Sequence, residues 1–202
     1  MEQTVERIMD YPHENGFLTF TIGILFILSI YHVLLYFQHK DKLYLIYGMY
    51  AFFCIMSQLM HLKQGFLLEL IKPLGKFPYY AELYAEATYI AYFFFAFRFL
   101  EVNKQFPKWT SICFKAIYML CVICISTFGI YLFTKDYQIV NDIYYYFTLA
   151  MFLVSIVSFA LFFKVKNKLK YYIIGGGLMI FLFSFASLLY YLELRENGQN
   201  IQ

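Results

Sequence analysis

The sequence predicts an all-α protein, a polytopic bundle of transmembrane helices with six spans. Of its 202 residues, 62% are hydrophobic and 14% are charged, whereas soluble domains have about half apolar and about a quarter charged residues. The mean hydropathy is +0.60, and the apolar residues form six runs, each near the roughly 20 residues that a helix needs to cross a bilayer. Soluble globular and disordered chains are therefore excluded.

The chain begins with residues 1–16, which we predict to be an external N-terminal segment. Its four acidic residues against the single Arg7 are the reverse of the basic start of a signal peptide. The first apolar run, 17–37, is therefore a retained span. A basic hairpin at 38–42 ends it and leads into the second span, 43–62.

A longer break separates the second span from the third. It covers 63–78 and contains Pro73 and Pro78, which stop a helix on either side. The third span is predicted at 79–100, and the fourth at 110–133.

The fifth and sixth spans are predicted at 139–163 and 171–192, on either side of a lysine-rich break. The transmembrane helical domain accordingly covers 17–195, and 196–202 form a C-terminal tail. All six runs are apolar all round, so their periodicity does not show which face meets lipid.

The placement of Lys and Arg predicts the orientation, because cytoplasmic loops carry the excess. One side of the predicted membrane domain has ten: Lys40, Lys42, Arg98, Lys104, Lys108, Lys115, Lys164, Lys166, Lys168 and Lys170. The other side has six: Arg7, Lys63, Lys72, Lys76, Lys135 and Arg195. We therefore expect the N-terminus outside the cytoplasm and, after six spans, the C-terminus outside as well.

Polar residues at the outer ends of the spans form the candidate ligand site. Glu82 and Glu86 lie four residues apart, hence on one face of the third helix, and Tyr89 continues that face. The other candidates are His61, Asp142 and Glu193. Because ionisable groups at membrane depth are costly, they suggest a shallow pocket for a cationic or hydroxylated ligand, or a docking surface for an external domain. The alternative is an ordinary interfacial belt of tyrosines and helix-terminal carboxylates.

Three further positions have structural or switching interpretations. His32 lies deep in the first span, where its ring could bond a backbone carbonyl or act as a proton switch. Arg98 and Glu101, three residues apart at the inner end of the third span, can pair as an anchor. The membrane-surface basic residues Lys164, Lys166, Lys168 and Lys170 should attract anionic headgroups.

Catalytic chemistry has no support in the sequence. No nucleophile–base pair or HExxH motif occurs, and the four His never have the close spacing of a metal pair. Cys121 and Cys124 have CxxC spacing, but they lie in mid-span, where thiols behave as small hydrophobes. We expect no enzymatic activity, no cofactor and no metal. Nucleic acid is not an expected partner either, because the basic residues are dispersed over short loops.

The order of aromatic and basic segments resembles a known family. These segments are YHVLLYF at 31–37, QHKDK at 38–42, LYLIY at 43–47, LKQGF at 62–66, and FRFL at 97–100 with Pro107 soon after. Together they resemble the membrane domain of bacterial seven-transmembrane receptors with diverse intracellular signalling modules, from about residue 16 to about 193. With six apolar runs, the seventh helix of that family is expected to be missing.

The resemblance implies a sensor in the cell inner membrane that relays an external signal to a cytoplasmic output module or partner chain. Any kinase or cyclase activity would belong to that module, as in two-component systems. The implied partners are the lipid bilayer, an external ligand or sensory domain, the output module and a second copy of the chain. The alternative from another class is a small multi-pass transporter or channel, although we find no internal repeat of the kind that transporters show.

Overall fold

A computed structural model describes residues 16–59, 67, 81–134, 136–179 and 182 of the chain. Over these residues the backbone is α-helical apart from short turns, with no strand. The predicted all-α class is therefore confirmed. The predicted site residues His61 and Glu193 lie outside the described residues, as do the N-terminal segment and the C-terminal tail.

The described helices follow the apolar runs closely. They are α1 (Gly16–His39), α2 (Lys42–Leu59), α3 (Ala81–Phe99), α4 (Val102–Gln105), α5 (Pro107–Thr134), α6 (Tyr137–Lys164) and α7, described over 170–179. The described ends of the first five long helices lie within about three residues of the apolar runs. The short helix α4 was not predicted, because its four residues are too few to show a hydrophobic pattern.

Local side-chain chemistry sets the turn between α1 and α2. Lys40 has a positive φ of 56° and ends α1 in the left-handed conformation. The Asp41 carboxylate then accepts a hydrogen bond from the backbone N–H of Leu43 at 2.9 Å, which caps the start of α2. The predicted basic hairpin is thus a tight helix–helix turn.

The later turns use similar devices. Glu101, with a φ of 50°, separates α3 from α4, and Pro107 begins α5 at the first helical position, where proline is favoured. At the start of α6, the Asp136 carboxylate accepts from the backbone N–H of Gln138 at 2.9 Å. Asn167 does the same for the N–H of Leu169, also at 2.9 Å, just before α7.

Four described helices are long and apolar enough to cross a membrane. They are Leu18–His39, Lys42–Leu59, Pro107–Thr134 and Gln138–Lys164. Helix α3 has 19 residues but contains Glu82, Glu86 and Arg98, and α7 is described over ten residues. The protein is therefore a membrane protein of apolar helices, and the crossing of α3 and α7 stays a prediction.

The chain divides into two compact units. The first unit comprises Met1–Phe95 and Cys121–Tyr144. In it, α1 and α2 pack through Ile22 and Ile55, which are 5% and 6% exposed. The Ser29 hydroxyl donates to the backbone carbonyl of Gly48 at 3.0 Å. This hydrogen bond needs a close approach of the two helices.

The second unit comprises Ala96–Leu120 and Tyr145–Gln202. Its described core is aromatic: the ring of Phe97 lies 5.1 Å from that of Phe162 and 5.3 Å from that of Phe114, measured between centroids. Phe162 is fully buried. Edge contacts of this kind add specific geometry to the apolar burial.

Candidate functional site

The most unusual buried group in the first unit is the carboxyl of Glu86. Helix α3 places Glu82 and Glu86 one turn apart on one face, as their spacing requires. Glu86 is 0% exposed, and neither of its carboxyl oxygens has a hydrogen-bond partner within the described structure. Buried polar groups are nearly always hydrogen-bonded, so this carboxyl needs an explanation.

One described neighbour of Glu86 from another helix is Cys124 on α5. The thiol lies beside the Glu86 carboxyl, and its Sγ is 4.0 Å from the backbone carbonyl oxygen of Leu83 on α3. A thiol is a weak hydrogen-bond donor, which is consistent with the unsatisfied carboxyl oxygens. We call Glu82, Glu86 and Cys124 the Glu86 site.

The sequence indicated the two acids of the Glu86 site as candidate site residues, but it did not indicate the thiol. Cys124 was interpreted as a small hydrophobe, because it lies in an apolar run. It is 41 residues from Leu83 in sequence, so no local spacing connects α5 with this face of α3. An acid in an apolar helix was the available signal, since such a group is expected to face a polar neighbour inside the protein.

The other described residues of the predicted ligand site are also in the first unit. Glu82, Tyr89 and Asp142 are each half-buried. Glu82 acts electrostatically on Glu86. A ligand pocket that includes these residues stays a prediction.

His32 lies in a cage of tyrosine rings at the α1–α2 contact. Its Nδ1 is 2.8 Å from the backbone carbonyl of Leu28, and since a carbonyl only accepts, Nδ1 carries the hydrogen and donates. The ring centroid is 4.0 Å from that of Tyr47 and 6.3 Å from that of Tyr44, and the Tyr31 ring meets it edge-on at 5.4 Å. The carbonyl bond considered from the sequence is thus present, while a proton switch stays a prediction.

A polar and aromatic seam joins α2 to α3, and it was not anticipated from the sequence. The Cys54 thiol lies beside Tyr50 on its own helix and Thr88 on α3. The Tyr50 and Tyr92 rings lie 5.9 Å apart, and the Thr88 hydroxyl also contacts the backbone carbonyl of Tyr84 at 2.8 Å. We call Tyr50, Cys54, Thr88 and Tyr92 the α2–α3 seam. Because α2 is apolar all round, the sequence could not show which of its faces meets α3.

The predicted anchor at the end of α3 has a different pairing. The Glu101 carboxylate accepts a hydrogen bond from Lys104 Nζ at 2.6 Å, and Arg98 is exposed. The left-handed turn at Glu101 ends α3, so Arg98 and Glu101 do not share one continuous helical face. The exposed pair with Lys104 contributes little stability, because water and salt screen it.

Hydrogen bonds hold the lysine-rich segment within the second unit. Lys164, Lys166 and Lys168 are exposed, while the half-buried Lys170 donates from Nζ to the backbone carbonyl of Phe163 at 2.6 Å. The backbone N–H of Lys166 donates to Gln105 Oε1 at 3.0 Å, which ties this segment to α4. Three of the four predicted headgroup-binding lysines are therefore free to meet a charged surface.

No group of three or more His, Cys, Asp or Glu among the described residues is arranged to hold a metal ion. The model of a family described as 7TM diverse intracellular signalling matches residues 14–201. No curated protein and no solved structure matches the chain. The matched range includes His32, the Glu86 site and the α2–α3 seam.

Proposed function

The chain belongs to the 7TM diverse intracellular signalling family, and we propose that it relays an external signal across the inner membrane to a cytoplasmic output module or partner chain. The observation that carries this proposal is the family match, which runs over nearly the whole chain. It identifies the chain as a membrane domain for signalling, in agreement with its apolar helices. The direction of the relay and its output are the proposed part.

The packing inside the first unit supports a relay. The Ser29 bond to Gly48 and the stacking of His32 on Tyr47 fix α1 against α2 at short distances. Tightly packed interfaces tend to switch between discrete arrangements and do not deform continuously. A signal that favours one arrangement shifts the population toward it, by an amount set by its differential affinity.

We propose the outer ends of the spans as the place where the signal acts. Glu82, Glu86, Tyr89 and Asp142 are the described members of that candidate site, and Glu82 is the second residue of α3. With the N-terminus outside, the opposite ends of these spans would carry the exposed lysines at 164–168. This orientation follows the charge excess of cytoplasmic loops.

Deleting the gene in its own host and comparing transcripts tests the relay. We expect a defined set of transcripts to change in the deletion strain and to be restored by the wild-type gene. The matched pair Glu82→Gln and Glu101→Gln refines the test: the first should weaken restoration, and the second, at an exposed ion pair, should leave it intact. A transcript profile that the deletion leaves unchanged would contradict the relay.

The transport alternative gains support from one observation, the fully buried acid Glu86, because acids at membrane depth also mark ion pathways. Reconstitution of the purified chain into liposomes separates the two functions. A sensor domain gives no ion or solute flux above that of empty liposomes. Flux above that background, abolished by Glu86→Gln, would favour transport.

A further inference from the structure

The Glu86 carboxyl is enclosed by protein alone, before any lipid is considered. It is 0% exposed, and both oxygens lack a hydrogen-bond partner in the described structure. An isolated carboxylate in such surroundings is very costly unless water or a cation compensates its charge. A protonated carboxyl avoids most of that cost.

The described groups that act on the Glu86 carboxyl would not compensate a negative charge on it. Glu82, on the same helix, is a second acid and would repel it. Cys124, from α5, presents a thiol that donates weakly. Among the described residues, these are the two titratable side chains that influence Glu86, and neither provides a positive charge.

We propose that Glu86 is a proton-binding site: the carboxyl is held neutral while α3 packs against the 121–134 stretch of α5, and releasing the proton requires that contact to loosen. The released proton passes to water that enters along the Glu82 side, leaving a carboxylate that water then solvates. The proposal deepens the relay function on which its signalling role rests, because it names a proton as the ligand of the same region. Proton binding itself does not depend on that role.

A proton fits this site better than a metal ion does. It needs one oxygen lone pair, whereas hard cations take about six oxygen ligands. The described residues provide two carboxyl groups and a thiol here, and no group of three or more His, Cys, Asp or Glu among them is arranged to hold a metal ion. Sodium binding is therefore the competing outcome that the experiment must separate.

Infrared difference spectra of the full chain in lipid nanodiscs test the site directly. Between acidic and alkaline buffer, wild type should show the carbonyl stretch of a protonated carboxylic acid that lacks hydrogen bonds. Glu86→Gln should lose that band. Glu82→Gln and the exposed control Glu101→Gln should keep it.

Cys124→Ser gives a second signature that a merely structural role of Glu86 would not produce. A hydroxyl is a stronger donor and acceptor than a thiol, so the band of the neighbouring acid should move to lower frequency. Cys121→Ser, one turn earlier on α5, is the matched control and should leave the frequency unchanged. This comparison remains decisive if Glu86→Gln does not fold.

Each outcome of these experiments either supports or overturns the proposed proton site. A band that is lost in Glu86→Gln, shifted in Cys124→Ser and unchanged when sodium chloride replaces choline chloride establishes the proton site, whether or not the deletion strain shows a signalling defect. A band that is missing in wild type, or that survives in Glu86→Gln, overturns the proposal. A band that disappears when sodium chloride replaces choline chloride at constant pH also overturns it, in favour of a sodium site.

Discussion

At the scale of single residues, Gly48 determines how closely α1 and α2 approach. A Cβ at this position would lie 3.1 Å from Val33 Cγ2 and 3.4 Å from the Ser29 carbonyl oxygen. A methyl group therefore requires only a small shift of Val33, and alanine also gains roughly 1 kcal/mol of helix propensity over glycine. A larger side chain has no such room.

We predict that Gly48→Leu separates the two helices and lowers the free energy of unfolding by about 1–3 kcal/mol, as overpacking generally does. Gly48→Ala should be close to neutral. The matched control is Gly23→Leu, because nothing lies within 4 Å of a Cβ at Gly23. Thermal unfolding in detergent measures all three, and equal stability of the two leucine variants would contradict the predicted close contact.

The burial of the single residue Glu86 also predicts how the stability of the protein depends on pH. The folded chain encloses the carboxyl, whereas unfolding exposes it to water, where it ionises more readily. The native state therefore binds more protons than the unfolded state, and the free energy of unfolding should fall as the pH rises. Thermal melts of wild type across pH should show this slope.

Glu86→Gln provides the control for that slope, since glutamine has no ionisable proton. Its melting temperature should vary less with pH than that of wild type, while Glu101→Gln should follow wild type. An identical slope in wild type and Glu86→Gln would mean that another group is responsible.

At the scale of helices and turns, Cys54 joins α2 to α3. Cys54→Ala removes the thiol that lies beside both Tyr50 and Thr88, and the loss of a packed side chain with polar neighbours costs about 1–3 kcal/mol. We expect a stability loss of that order. The control Cys121→Ala should cost less, because no hydrogen bond between helices ends at Cys121 within the described part of the chain. Equal losses, measured by thermal unfolding in detergent, would show that only thiol packing matters.

Gln105 connects α4 to the lysine-rich segment through the backbone N–H of Lys166. We predict that Gln105→Ala speeds amide exchange at Lys166 and leaves global stability nearly unchanged, since this hydrogen bond is exposed. Asn103→Ala, in the same short helix, is the control and should not alter that exchange. Hydrogen–deuterium exchange resolved to peptides around Lys166 measures the difference.

Helix positions could be predicted from the sequence, because the lengths of the apolar runs and the polar or proline-containing breaks between them define where helices begin and end. Pro107 and the polar segment at 38–42 mark helix ends directly. The packing faces could not be predicted, since the helices are apolar all round. For the same reason, Glu82 and Glu86 could be placed on one face, while the burial of Glu86 against Cys124 depends on contacts between distant segments.

At the scale of the whole molecule, many large apolar side chains of the described helices are exposed. Ile27 on α1 and Ile125 on α5 are 69% and 70% exposed, and Phe133 is 92% exposed. Soluble monomers rarely expose large contiguous apolar patches. Lipid is the natural environment for these side chains, which agrees with the membrane character of the family.

Topology is the property of the whole chain on which the relay depends, because output requires an element on the cytoplasmic side. The charge count predicts that the 38–42 turn and the 164–170 segment lie inside, with the N-terminus and Gln202 outside. Two reporters can be fused after residue 40, after residue 167 and at Gln202: one is active only outside the cytoplasm, and the other is fluorescent only within it. They should show that the first two positions are inside and that Gln202 is outside.

Exchanging Lys164, Lys166 and Lys168 for Gln reduces the positive excess and should produce mixed readings at residue 167. Uniformly opposite readings would reverse the orientation. An inside reading at Gln202 alone would mean that 171–192 does not cross the membrane and that the end of the chain can contact a cytoplasmic partner directly.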